Sequence, residues 1–244
     1  MTCSPDGSHQ FTSLEFSIVS IVKHFLAPAI AMACAMSASA NPSATEPTTV
    51  VLVHGAFADS SSWNAVVPKL QAKGLRVVSA ANPLRSVSSD ARYVGQLVDS
   101  IKGPVVLVGH SYGGAVITNA AAGRPNVKAL VYVAAFVPDA GESALALAQK
   151  FPGGTLGEAL AEPVGLPDGN KDLYIQQAKF HQQFAADVPA HAAAQMAATQ
   201  RPIAEGALTE PSGPPAWKQI PSWSVYGTAD KNIPPVAMKF MSER

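Results

Sequence analysis

The sequence reads as a doubly wound, mostly parallel α/β sheet that carries a helical insertion. Three observations point there. Short, wholly apolar, β-branched runs alternate with stretches of helical periodicity, the order that buries a parallel sheet between two layers of helices. One of those runs, Val105 to Val108, passes directly into Gly109-His110-Ser111-Tyr112-Gly113-Gly114 and then into a helix of small residues. After the fourth apolar run, residues 138–206 are Ala-rich, Gln-rich and punctuated by Pro, with no strand pattern, which suits a lid over a site.

Composition limits the function classes. The chain has 244 residues, 48% apolar and 14% charged, with 17 basic and 17 acidic side chains. That length supports one domain with a sizeable core. Balanced charge leaves no electrostatic footprint for nucleic acid, so a small, fairly apolar molecule is the expected partner, and the oligomeric state is open.

Residues 1–40 differ from the rest. Lys23-His24 precede an apolar run, Phe25 to Met36, of signal-peptide length, and Ala38-Ser39-Ala40 follows as an A-x-A cleavage site. The expected domain therefore spans 41–244, after an export signal that directs it to the periplasm or the medium. The run is short for a membrane span, so no membrane association is expected after cleavage. Translation is expected to start nearer Ile21 or Val22, because the residues before them lack Lys and Arg. Cys3 and Cys34 both fall in this leader, leaving the domain without a thiol, as suits an oxidising compartment.

The elements then follow in order. Thr48 to Val53 is a buried strand running into His54-Gly55-Ala56-Phe57. Ser60-Ser61-Ser62 is expected to cap a helix with Trp63, Val66, Val67 and Leu70 on one face. Gly74 ends it, and Leu75 to Ala80 is the second strand. Asn82-Pro83-Leu84 is a loop, and Ser88-Ser89-Asp90 is expected to cap a helix with Tyr93, Val94, Leu97, Val98 and Ile101 inward. The third strand leads to Ser111, and Val127 to Phe136 is the fourth. Asp172 to Ala186 and Ala190 to Thr199 read as cap helices. Trp223 to Gly227 is a fifth strand delivering Thr228-Ala229-Asp230, and a helix begins at Ile233.

Gly109-x-Ser111-x-Gly113 between a buried strand and a helix has the form of a nucleophile elbow. A serine on so sharp a turn sits at a strained backbone angle, and its neighbours must lack side chains that would collide across it. Its hydroxyl then stands at a helix N-terminus, where the dipole favours developing negative charge. No Lys-Ser/Thr pair follows the glycines, which argues against a phosphate loop.

From about Thr48 to its end, the chain resembles the α/β-hydrolase superfamily, in particular a small capped bacterial branch similar to plant hydroxynitrile lyases and methyl-ester esterases. The resemblance rests on His54-Gly55-Ala56-Phe57, Gly109 to Gly114, Phe136-Val137-Pro138-Asp139 and Tyr226-Gly227-Thr228-Ala229-Asp230. It implies Ser111 as nucleophile and an oxyanion hole formed by the backbone N–H groups of Ala56 and Tyr112, with Phe57 next in line. It implies Asp230 as the triad acid, with Asp139 the alternative. His54, Phe57 and His110 are expected on the substrate side, the two histidines as loop-orienting groups rather than as the base, given the triad order Ser…Asp…His.

The pattern breaks after Asp230. The family's histidine lies beyond the acid, after one more strand, with a final helix behind it. Here no histidine follows His191. The expectation is a C-terminally truncated chain, with His181 or His191 as alternative stand-in bases and a ligand-binding pseudohydrolase as a further reading. The implied activity is a serine hydrolase acting on small, uncharged carboxylic esters. The alternative is a hydroxynitrile-type lyase, with Lys150, Lys171 or Lys179 as a cap cation. No metal or cofactor motif is present, and none is expected.

Overall fold

The computed structural model describes residues 46–244. The expected leader, its cleavage site and both cysteines lie outside the described residues. Five strands form one parallel sheet: β1 (Thr49–Val53), β2 (Arg76–Ala80), β3 (Val105–His110), β4 (Val127–Val133) and β8 (Ser222–Val225), in the order β2-β1-β3-β4-β8. Residues of β1, β3 and β4 are buried on both faces, which is why these strands read as unbroken apolar runs rather than alternating ones. Val51, Val53, Leu107, Leu130 and Tyr132 face one core. Val50, Leu52, Val106, Val108 and Val131 face the other.

Register brings the site together. Val53 pairs with Gly109, His110 with Val133, and Val133 with Val225. The chain therefore leaves β1 at His54, β3 at Ser111, β4 at Ala134 and β8 at Tyr226 along one edge of the sheet. The carboxyl edge of a parallel sheet is where ligands bind in such folds.

Helices α1 (Val67–Gln71), α2 (Val87–Asp99) and α3 (Tyr112–Ala120) connect the first four strands. The helix expected after Ser60 is split. A 3-10 turn covers Ser60–Trp63 with Asp59 as its cap, and α1 starts only at Val67, with Pro68 in its first turn. α2 is capped by Ser86, whose hydroxyl accepts from the Ser89 N–H, not by the Ser88-Ser89-Asp90 group. Asp90 instead points inward and is fully buried. Tyr93, expected inward, is exposed. The fourth strand stops at Val133, because Ala134 turns to φ 42° and breaks the ladder.

The insertion is a cap, but it is not strand-free. α4 (Ala144–Gln149) and α5 (Leu156–Ala159) are followed by β5 (Val164–Gly165), β6 (Lys171–Leu173), α6 (Gln177–Phe184), α7 (Ala190–Thr199) and β7 (Ile203–Ala204). The three short strands make an antiparallel sheet, β5-β6-β7. Residues 172–176, expected to open a helix, instead supply β6 and the bridge from Ile175 to Leu160. Strands of two or three residues carry too little periodicity to be read from sequence. α8 (Glu205–Thr209) returns the chain towards β8, and α9 (Pro235–Ser242) closes it. No helix among the described residues is long and apolar enough to cross a membrane.

Candidate active site

Ser111 is the cap residue of α3 and has φ 53° and ψ −123°, a conformation that a non-glycine residue adopts only when its surroundings impose it. They do. The Ser111 carbonyl accepts from the N–H of Gly114 and of Phe136, and its own N–H points at the carbonyls of Val133 and Ala134. Both flanking glycines are required by space. A Cβ on Gly109 would lie 2.5 Å from the Gly113 carbonyl oxygen, and one on Gly113 would lie 2.4 Å from that of Val53. The strained turn is thus wedged between β1 and β4.

The loop after β1 comes against the same serine. A Cβ on Gly55 would stand 2.6 Å from Ser111 Cβ and 3.2 Å from its Oγ, so bare backbone faces the hydroxyl there. Ala56 and Phe57 follow, both buried, with Phe57 at φ 60°. Tyr112 is the first residue of α3, where a backbone N–H has no partner within the helix. The structure therefore places Ser111, the Gly55–Phe57 backbone and the Tyr112 N–H in one neighbourhood. Among the described residues, no side chain forms a hydrogen bond to Ser111 Oγ.

Two histidines lie beneath the turn. His54 is wholly enclosed, and its Nδ1–H donates to the Gly55 carbonyl at 3.0 Å. Burial lowers its pKa, and the charge of Arg201 in the cap adds to the effect. His110 packs its ring edge-on against Trp63 at 6.3 Å, and burial pushes its pKa down to about 4. Both imidazoles are therefore neutral at neutral pH. His54 Nε2 lacks a hydrogen-bond partner among the described residues, as does Asn82 Oδ1. Asn82 is fully buried and donates its amide to the His54 carbonyl at 3.0 Å, so it holds the base of the loop that carries Ala56. From sequence alone, Asn82 reads as a loop residue. The signal was its place at a strand end, one residue before a proline.

Asp230 is half-buried in the loop between β8 and α9. Its Oδ1 accepts from the N–H groups of Asn232 and Ile233 at 2.8 and 2.9 Å, and burial raises its pKa against the pull of those two donors. Asp139 lies differently. Its carboxylate is clasped by Lys218 Nζ at 2.7 and 2.8 Å, and that cation, with the Ala140 N–H, holds it below the usual carboxylate range. An acid that orients an imidazole needs a free oxygen, and Asp230 retains Oδ2 outside these two bonds while Asp139 is committed to Lys218.

The remaining candidates are in the cap. His181 Nε2–H donates to the Val188 carbonyl at 2.9 Å, and His191 is exposed on α7. Lys150 sits over the Phe240 ring, Lys171 pairs with Glu205, and Lys179 donates to the Glu158 carbonyl. Each of the three lysines has a surface partner. The cap reaches the site through aromatic rings instead: Phe184 of α6 meets Phe57 edge-on at 6.1 Å and packs on Phe180 at 4.9 Å. A cavity of about 440 Å³ opens elsewhere, between β8 and the end of α9, lined by Tyr132, Trp217, Ile220, Met241 and Arg244 among others.

Comparison with known proteins agrees with this geometry. A family model described as "Alpha/beta hydrolase family" matches residues 50–244. A carbendazim hydrolyzing esterase from Nocardioides sp. (strain SG-4G) is 36% identical over 115 residues, 41% of this chain and 47% of that protein. Methylesterase 2 of Arabidopsis thaliana is 34% identical over 116 residues, 41% of this chain and 44% of that protein. The matched region is thus about half the length of these curated relatives. A crystal structure of tomato methylketone synthase I superposes with a TM-score of 0.64 at 19% identity, covering 80% of this chain and 84% of that one, a likeness of fold.

Proposed function

Because the chain belongs to the alpha/beta hydrolase family, we propose that it acts as a serine hydrolase on small, uncharged carboxylic esters, with Ser111 as the nucleophile. The observation that carries this reading is Ser111, held at φ 53° between β3 and α3 with the bare backbone of Gly55 against its hydroxyl. In this reading Ser111 attacks the ester carbonyl, and the amides of Ala56 and Tyr112 receive the oxyanion. Such donors are aimed at charge that develops only in the transition state, and losing one costs on the order of 100- to 1000-fold in turnover. Asp230 orients the imidazole that takes the serine proton. The rings of Phe57, Phe180 and Phe184 form an apolar wall, which favours an uncharged acyl or alcohol group.

A serine hydroxyl is protonated at neutral pH and needs a base to become a useful nucleophile. Among the described residues no imidazole is bonded to Ser111 Oγ: His54 is bonded to the Gly55 carbonyl and His181 to the Val188 carbonyl. Ester hydrolysis by the protein as it stands therefore measures whether His181, His191 or another group serves. The lyase alternative asks for an unpaired cation in the cap, and the partners of Lys150, Lys171 and Lys179 weigh against those three.

The test is a fluorophosphonate probe together with a panel of p-nitrophenyl esters, with Ser111→Ala as control. The expected result is a covalent adduct mapped by mass spectrometry to Ser111, and ester hydrolysis lost in the Ala variant. A folded protein that neither labels nor hydrolyses any ester overturns the reading in favour of ligand binding. Export to the periplasm or medium is a separate proposal, checked by sequencing the N-terminus of the protein recovered from cells; a chain retaining residues 25–40 overturns it.

A further inference from the structure

One buried charge is not used by the chemistry above. Asp90 has no solvent exposure, yet among the described residues no cationic side chain pairs with it. It is held by hydrogen bonds alone. Tyr112 Oη–H donates to Oδ2 at 2.9 Å, the Arg85 N–H reaches both carboxylate oxygens at 3.1 Å, and Ser89 Oγ–H donates to Oδ1 at 3.2 Å. Its position in the first turn of α2 adds the favourable end of a helix dipole. A fully desolvated carboxylate is costly unless it is so satisfied, and an apolar residue in its place would remove the cost altogether.

What the carboxylate holds explains its presence. Tyr112 is the residue after Ser111, its ring is itself fully buried, and its hydroxyl is the only polar handle that ring has. Fixing the hydroxyl fixes the first turn of α3 and hence the direction of the Tyr112 backbone N–H. From the other side, Asp90 closes the turn at Leu84, which stands at φ 61°. The Leu84 carbonyl accepts from the Ala204 N–H of β7, and the Arg85 guanidinium bonds Asp172 of β6 at 2.7 Å and the Pro202 carbonyl at 2.8 Å. The same carboxylate thus joins the oxyanion side of the site to the attachment of the cap.

We propose that Asp90 is a positioning residue, which acts through the Tyr112 hydroxyl to aim the Tyr112 amide at the oxyanion. The proposal rests on the oxyanion role read above for that amide. It differs from a purely structural role in where the damage falls. Loss of the bond leaves substrate binding intact and slows the chemical step, because the amide is misaimed only towards charge that appears in the transition state.

The experiment compares Tyr112→Phe, Asp90→Asn and Asp90→Ala with the wild-type protein by two readouts. One is the rate of fluorophosphonate labelling and ester hydrolysis at Ser111. The other is hydrogen exchange of the Tyr112 to Ala115 amides, which requires no turnover. In Tyr112→Phe, the expected result is an approximately tenfold fall in kcat and labelling rate with KM within about twofold, and faster exchange confined to the first turn of α3. Asp90→Asn keeps an acceptor and is expected to retain more activity and protection than Asp90→Ala. A folded Tyr112→Phe protein with wild-type exchange overturns the proposal, as does an Asn variant no better than Ala. A wild-type protein that neither labels nor hydrolyses defeats the esterase reading, while the exchange data still decide the anchoring of Tyr112.

Discussion

The elbow and the cap are held by different means. Around Ser111 the fixing contacts are backbone on backbone, enforced by glycines with no space for a Cβ and by wholly buried polar groups such as Asn82 and Asp90. The cap is joined to that frame mainly by side-chain ties, Arg85 to Asp172 and Pro202, Thr155 and Gln183 to the loop at Lys231 and Asn232, and Phe184 on Phe57, with backbone bonds from Ala204 to Leu84 and from Thr155 to Lys231 beside them. On the proposed reading, rigid geometry stands where charge would develop, and adjustable packing where a substrate would fit. If that division is correct, changes in the frame act on turnover and stability, and changes in the cap act on KM.

The strongest test is at the loop after β8. Asp230→Asn keeps its shape and its acceptor for the Asn232 and Ile233 amides but loses the charge that would orient an imidazole. Where an imidazole oriented by Asp230 activates Ser111, hydrolysis is expected to fall by on the order of 10⁴-fold, while Asp139→Asn, which breaks only the pairing with Lys218, leaves it within about twofold. An unaffected Asp230→Asn protein assigns the acid elsewhere. The next largest effect is on folding. Gly113→Ala drives a methyl group to 2.4 Å from the Val53 carbonyl oxygen, so β1 and α3 must separate. A loss of about 3 kcal/mol, or roughly 6–12 °C in melting temperature for a domain of this size, is expected in a thermal scan. Gly157→Ala, whose Cβ meets nothing within 4 Å, is the matched control in the cap.

These two regions also differed in how far they could be read from sequence. The frame was legible because its rules are local. β-branched runs mark buried parallel strands, and glycines mark turns where nothing else fits, so β1, β3 and the strand–turn–helix at Ser111 are legible along the chain. The polar residues that hold the frame were not legible in their roles. Asn82 and Asp90 act across 28 and 22 residues of sequence, and a short polar residue near a loop reads first as a turn or a helix cap. Asp90 reads in that way, whereas Ser86 caps the helix. In the cap, β5, β6 and β7 are illegible because two or three residues show no alternation. The absence of a histidine after His191 needed no structure, since residue counting alone shows it.

Protonation gives the third test. His54 and His110 both have folded-state pKa values below the ordinary 6.5, His110 at about 4. The unfolded chain takes up protons as pH drops through 6.5, whereas folded His110 resists until about 4. Their contribution to stability is therefore complete above pH 6.5 and is lost as pH falls towards 4, by about 1–3 kcal/mol for His110. Denaturation curves at pH 7.5 and 4.5 should show this loss in the wild-type protein and a smaller one in His110→Gln. Equal losses would mean that the acid sensitivity belongs to other groups.

The smallest expected effect probes the contact that joins the two regions. Phe184 is only partly buried, and it touches the frame through the edge of Phe57, the residue after Ala56. Phe184→Leu preserves an apolar surface but removes the ring pair, a contribution of about 1 kcal/mol. Because Phe57 is fixed by its own φ of 60° and by burial, the frame should not follow the change. The loss then falls on the seating of the cap over the ester, and a KM raised about fivefold at unchanged kcat is the expected signature. A fall in kcat at unchanged KM would mean that the aromatic wall helps to set the Ala56 amide, and the boundary between the rigid frame and the adaptable cap would then have to be drawn inside the cap, at α6.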